Sequence, residues 1–156
     1  MSGPADIEWQ ASARERHVAI VAARFNGDIV GGLLQGAVDA WEKRGGAAQD
    51  LLIARVPGAF ELPLVAHRLA ASKRFDAVVA LGCVIRGDTP HFEYVAGECA
   101  RGLQQASLET GVPIAFGVLT VNTLEQALER SASGSNKGAE AMLTALEMAG
   151  LLAQLP

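Results

Sequence analysis

The sequence predicts a three-layer α/β/α fold built on a four-stranded parallel sheet with helices on both faces. Three observations predict it. Short apolar runs alternate with stretches of helical periodicity along the 156 residues. The apolar runs are continuous rather than alternating, as expected of parallel strands buried on both faces. The composition, 50% hydrophobic with 17 Gly and only 5% aromatic, suits layered packing of small aliphatic side chains.

Residues 1–15 read as a loose polar arm, and residues 16–156 as one domain. The apolar runs 17–23, 50–56, 76–84 and 113–119 are the expected strands. Between the first two, Leu33, Ala37 and Trp41 recur every four residues beside Leu34 and Val38, and Gly45-Gly46 ends the helix. Residues 60–72 bring Leu62, Val65, Ala66 and Leu69 to one face, with Pro63 tolerable in the first turn. Residues 91–110 do the same with Val95, Cys99, Leu103 and Ala106, before Gly111. Thr123 and Gln126 have capping-box spacing over a short helix to about residue 131. A last amphipathic helix, 137–153, runs through Met142, Leu146 and Ala149. The order is β-α-β-α-β-α-β-α-α, the flavodoxin-like alternation, with right-handed crossovers expected.

Charge and cysteine usage exclude several function classes. A formal net charge of −4 disfavours a nucleic-acid binder but allows a local cationic pocket for a small anion. Cys83 and Cys99 form no CxxC pair, and the three His make no metal-ligand spacing with them, so reduced, buried thiols and no metal site are expected. Residues 1–10 contain Asp6 and Glu8 and no apolar leader run. The longest apolar stretch, 77–85, falls far short of the ~20 residues of a membrane span. A soluble cytoplasmic chain without membrane contact is the expectation.

In open parallel sheets, ligands bind beyond the carboxyl ends of the strands. Four segments should meet there. Arg24-Phe25-Asn26 offers an aromatic to stack on a flat ring, or simply to pack over the sheet end. Gly58 and Ala59 allow close backbone approach, and Glu61 either accepts from ligand hydroxyls or sits as a carboxylate at a helix start. In Arg86-Gly87-Asp88-Thr89-Pro90-His91, free N–H groups at a helix start suit an anion and His91 suits proton transfer, although a plain capped loop has the same residues. Residues 129–138 form a Gly/Ser-rich, flexible loop with Arg130 and Lys137 near its ends, suited to phosphate or merely solvated. Neither GxxxxGK[ST] nor a helix-opening GxGxxG occurs, which argues against nucleotide hydrolysis. Together these residues suit a planar heterocycle plus a phosphate, without identifying a reaction.

The segments 23–26, 56–63, 82–87, 89–95, 116–120, 124–130 and 136–138, taken in order, resemble the lumazine synthase family. The resemblance spans about residues 17–152. It implies condensation of 5-amino-6-(D-ribitylamino)uracil with 3,4-dihydroxy-2-butanone 4-phosphate, without a cofactor. It further implies that Phe25 stacks on the pyrimidine and that Glu61 and the Ala59 backbone bind ribityl hydroxyls. Asn26 and Gly58 join that substrate set, and the backbones of Val84 and Ile85 lie beside the ring. His91 becomes the acid/base. Arg130 holds the phosphate with the amides of Gly87, Asp88 and Thr89, assisted by Lys137. Asp88 is expected to turn its carboxylate away. Sites in the family lie between subunits, so Phe116, Arg130 and Lys137 are expected from the adjacent chain. Pentamers follow from the resemblance, as does association with riboflavin synthase. The loop from Ser131 to Asn136, shorter than in many relatives, favours an icosahedral 60-mer. The competing reading is a non-catalytic lumazine- or riboflavin-binding, or shell-forming, relative.

Overall fold

The computed structural model describes residues 3–156, so the first two residues of the expected arm lie outside the described residues. The strands are β1 (Val18–Ala23), β2 (Leu51–Val56), β3 (Ala77–Ile85) and β4 (Ile114–Val121). The helices are α1 (Gly27–Lys43), α2 (Leu62–Ala71), α3 (His91–Thr110), α4 (Leu124–Ser131) and α5 (Lys137–Gln154), with 3-10 turns at Ala48–Asp50 and Ala59–Glu61. The sheet is fully parallel in the order β2-β1-β3-β4. The chain therefore reverses its direction of travel across the sheet between β1 and β3, which opens a crevice at their carboxyl ends.

Side chains alternating along β1 feed two cores. Val18, Ile20 and Ala22 pack with Leu33 and Trp41 of α1, Ala127 of α4 and Met142 and Leu146 of α5. Ala19, Val21 and Ala23 pack with Leu62 and Ala66 of α2 and Cys99 and Leu103 of α3. Burying each large aliphatic side chain contributes about 1.5–3 kcal/mol. Trp41 is fully buried, and its indole N–H donates to the Ala47 carbonyl at 3.0 Å. Gly45, at φ 92, turns the chain out of α1, and Gly46 lies under the indole ring, where a Cβ has no room.

The expected elements are all present, with three differences. β4 continues through Thr120 and Val121, because Val121 pairs with Ile85 and is buried. Burial on both faces holds for β1 and nearly all of β3, but not for β2, where Leu52 is 43% and Ile53 41% exposed. β2 is an edge strand, and helices cover its inner neighbour more fully. The arm is not loose throughout. Ala13 is buried and its N–H donates to the Arg44 carbonyl at 3.0 Å, while Arg44 reaches the Ala11 carbonyl at 3.4 Å. Among the described residues, no helix is long and apolar enough to cross a membrane.

Candidate active site

A cleft of about 810 Å³ opens at the carboxyl ends of β1, β2 and β3. β1 passes into α1 through Phe25 and Asn26. Asn26 takes a left-handed backbone (φ 58, ψ 45), which its short polar side chain tolerates. Its Nδ2 donates to the Cys83 carbonyl at 2.8 Å, fixing the turn to β3. The Phe25 N–H donates to the Pro57 carbonyl at 3.0 Å, fixing it to the loop after β2. The Phe25 backbone is thus fixed while the residue remains 69% exposed, so its ring does not pack down over the sheet end.

After β2, the Glu61 N–H donates to the Gly58 carbonyl at 3.2 Å. The Glu61 carboxylate overhangs Gly58, whose missing Cβ would stand 3.3 Å from Oε1. Among the described residues Glu61 has no ion-pair partner, so its oxygens are available to ligand hydroxyls. Gly58, Ala59 and Glu61 line the cleft with Val84 and Ile85.

β3 leads through the 86–90 loop into His91, the first residue of α3. The His91 N–H donates to Thr89 Oγ at 3.4 Å. The N–H groups of Gly87, Asp88 and Thr89 find no protein acceptor among the described residues. They precede a twenty-residue helix whose dipole favours an anion at this end. Gly87, Thr89 and His91 line the cleft, whereas the exposed Asp88 does not.

Arg86 braces this loop. Its Nε donates to Asn122 Oδ1 at 2.9 Å, its Nη1 donates to Glu93 Oε1 at 3.2 Å, and its guanidinium lies 4.5 Å from the centroid of the Phe92 ring. Asn122 in turn donates its N–H to Gln126 Oε1 at 2.7 Å, beside the capping box that Thr123 and Gln126 form on α4.

Phe116, Arg130 and Lys137 lie elsewhere, in a depression of about 470 Å³ along the open edge of β4, with Glu140, Ala141 and Thr144 of α5. Phe116 is 48% exposed. Arg130 Nη1 donates to the Gln126 carbonyl at 3.0 Å and stands 3.7 Å from Glu129 Oε2. Lys137 Nζ stands 3.1 Å from Glu140 Oε2. Among the described residues, none lines both depressions. One chain therefore brings together Phe25, Asn26, Gly58, Ala59, Glu61, Val84, Ile85, Gly87, Thr89 and His91, and separates them from Phe116, Arg130 and Lys137.

The family model for 6,7-dimethyl-8-ribityllumazine synthase matches residues 15–153. The chain belongs to that family. A 6,7-dimethyl-8-ribityllumazine synthase of Syntrophus aciditrophicus (strain SB) is 53% identical over 153 residues, covering 97% of this chain and 99% of that protein. The family match contains both groups of residues, the aromatic cleft and the cationic depression.

Several cleft residues were not singled out for the site from the sequence. Phe60, Phe92, Tyr94 and Val95 also line it, so three of the chain's five Phe and its one Tyr gather in one place. Phe60 and Tyr94 are well exposed. Their signal was position: each lies within three residues of Glu61 or His91, on a helix face that the apolar period leaves outside. The loop between Arg130 and Lys137, expected to be flexible, is stitched by side chains. Ser131 Oγ donates to the Ala127 carbonyl and Ser135 Oγ to the Glu129 carbonyl, each at 2.9 Å.

Both cysteines are buried, as expected. Burial pushes the Cys83 thiol, and likewise Cys99, from the ordinary 9.0 up to about 11. Neither is a thiolate at neutral pH, so the Cys83 thiol that lines the cleft is not an activated nucleophile. Among the described residues no cluster of His, Cys, Asp or Glu has the arrangement to hold a metal ion.

Proposed function

We propose that this chain condenses 5-amino-6-(D-ribitylamino)uracil with 3,4-dihydroxy-2-butanone 4-phosphate to give 6,7-dimethyl-8-ribityllumazine, the penultimate step of riboflavin biosynthesis. The observation that carries the reading is the family match over residues 15–153, with Phe25, Glu61 and His91 in one cleft inside it.

The nucleophile is the substrate's own amine, so no activated Ser or Cys is required. The amine adds to the ketone and water leaves as a Schiff base forms. Loss of phosphate and closure of the ring by the ribitylamino nitrogen, with loss of a second water, complete the product. Each step moves protons, the role assigned to His91. No electrons are transferred to or from an outside acceptor, so no redox cofactor enters the balance. Phe25 stacks on the pyrimidine, with the backbones of Val84 and Ile85 along the ring and Asn26 at the turn. Glu61, Gly58 and Ala59 receive the ribityl chain. The Gly87, Asp88 and Thr89 amides and Arg130 stabilise charge on the departing phosphate, with Lys137 adding to the field. Holding the two substrates in contact supplies much of the rate.

The working site on this reading is shared. The cleft of one chain is completed by Phe116, Arg130 and Lys137 of its neighbour in a pentamer. The separation of the two depressions and the exposed apolar side chains Leu52, Ile53, Leu64, Tyr94, Leu108 and Phe116 support a subunit contact. The assembly is a pentamer-based icosahedral 60-mer of cytoplasmic location that associates with riboflavin synthase, and residues 16–156 act as one domain.

An absorbance assay for lumazine formation tests the activity, comparing the wild type with Arg130→Ala. The wild type is expected to form product and the variant to lose it severely. A wild-type rate no higher than the uncatalysed condensation would overturn the enzyme reading in favour of a non-catalytic binding relative. Light scattering tests the assembly. A pentamer mass under all salt and pH conditions would overturn the shell.

A further inference from the structure

Arg130 lies in the last turn of α4 and Lys137 is the first residue of α5, so their relative position depends on how those two helix ends are joined. Ser135 ties the loop to α4, and the Asn136 side chain makes the joint to α1 and α5. Asn136 Nδ2 donates to the Ser131 carbonyl at the end of α4 at 2.8 Å and to the Gly32 carbonyl of α1 at 2.9 Å. Its Oδ1 accepts the Ala139 N–H at 3.0 Å, capping α5. A carboxamide is the group that serves two carbonyls and one N–H at once, and the three partners fix which way it faces. The bonds satisfy an orphan carbonyl of one helix and an orphan N–H of the next.

The surroundings are shaped to this amide. Gly36 of α1 lies against it so closely that a Cβ would overlap Asn136 Oδ1. A Cβ on Gly32 would stand 2.9 Å from the Ser131 carbonyl oxygen, and one on Gly138 would overlap the Leu33 carbonyl. Three glycines thus bring α1, the end of α4 and the start of α5 to backbone contact around one polar side chain. Asn136 is half-buried rather than displayed to a ligand.

We infer that Asn136 is a positioning residue for the phosphate end of the reaction: by locking the ends of α4 and α5 onto α1, it sets Arg130 and Lys137 at the spacing that grips one phosphate. The inference rests on the proposed role of Arg130. Asn136 touches no substrate itself. Misplacing a gripping cation by an ångström weakens phosphate binding and leaves the pyrimidine cleft, built on β1, β2 and β3, unaltered.

The test is steady-state kinetics on the assembled Asn136→Ser protein, with Arg130→Ala as reference. Serine retains the cap on α5, loses both carbonyl ties and adds no charge. The expected result is a rise of about tenfold in KM for dihydroxybutanone phosphate and a parallel rise in the inhibition constant of inorganic phosphate, with KM for the pyrimidine unchanged. Gly36→Ala, which crowds the same amide without altering it, is expected to shift the same two constants and serves if Asn136→Ser does not assemble. An unchanged phosphate-side KM in both variants, while Arg130→Ala raises it, overturns the positioning role alone. An equal rise in both substrates' KM overturns it too, because a merely structural role acts that way. If Arg130→Ala itself leaves both phosphate constants unchanged, the phosphate reading fails and the inference with it.

Discussion

The two depressions differ in chemistry, construction and position. The cleft at the ends of β1, β2 and β3 is aromatic and apolar, with one carboxylate and one imidazole, and is built on turns tied to the sheet. The depression along β4 carries Arg130 and Lys137, on the ends of two helices joined by a stitched loop. The first suits a flat heterocycle with a polyol tail and offers free amides at the start of α3 to an anion, and the second offers two cations to an anion. On the proposed reading, a reaction between a pyrimidine and a phosphate ester draws on both. The contrast is what the proposed sharing of one site between two chains would require.

Substitutions on either side should give different kinetic signatures. The largest effect is expected from Arg130→Ala, with a loss in kcat/KM of about 10²-fold or more, since a charge-assisted fork on a leaving phosphate is removed. Single-turnover product formation checks it. His91→Asn should lower kcat by about 10²-fold and leave both KM values near wild type, the pattern of a lost proton shuttle. Phe25→Ala should raise KM for the pyrimidine by about tenfold, the worth of a base-aromatic stack, without moving the inhibition constant of inorganic phosphate. A Phe25→Ala variant that weakened phosphate binding equally would erase the distinction between the half-sites.

Smaller effects test the braces. Arg86→Lys gives up the planar fork on Asn122 and Glu93 and the stack on Phe92. A severalfold fall in kcat is expected, with the loss shared between the His91 loop and α4. The buried thiols give a pH signature. Their folded value of about 11 lies above the ordinary 9.0, so the protonated form stabilises the fold. That contribution is complete below about pH 9 and is lost as pH rises toward 11. Denaturation midpoints should therefore fall across that window, and less steeply in a Cys83→Ala, Cys99→Ala double variant.

The fold was legible in the sequence because its signals are local and agree with one another. The apolar runs, the four-residue steps through Leu33, Ala37 and Trp41, and the Thr123–Gln126 box each mark an element by itself. The rule that ligands bind beyond the strand ends also brings Phe25, Glu61 and His91 together from the sequence alone. What the sequence hid was set by neighbours. β2 reads as a buried strand, yet its place at the sheet edge leaves Leu52 and Ile53 exposed. The Gly/Ser loop reads as flexible, yet Ser135 and Asn136 close it through partners up to 104 residues away. Phe92 and Tyr94 read as ordinary helix positions, because only the loop in front of α3 turns them toward the cleft.

The central claim is that each working site takes one half from each of two chains. Mixing tests it directly. His91→Ala and Arg130→Ala proteins, each nearly inactive alone, are dissociated, combined in equal amounts and reassembled. Random mixing leaves roughly a quarter of shared sites with both wild-type halves, so activity should recover toward that fraction of the wild-type level. A mixed assembly no more active than the average of its two parents would mean that both halves belong to a single chain, and the account would be wrong.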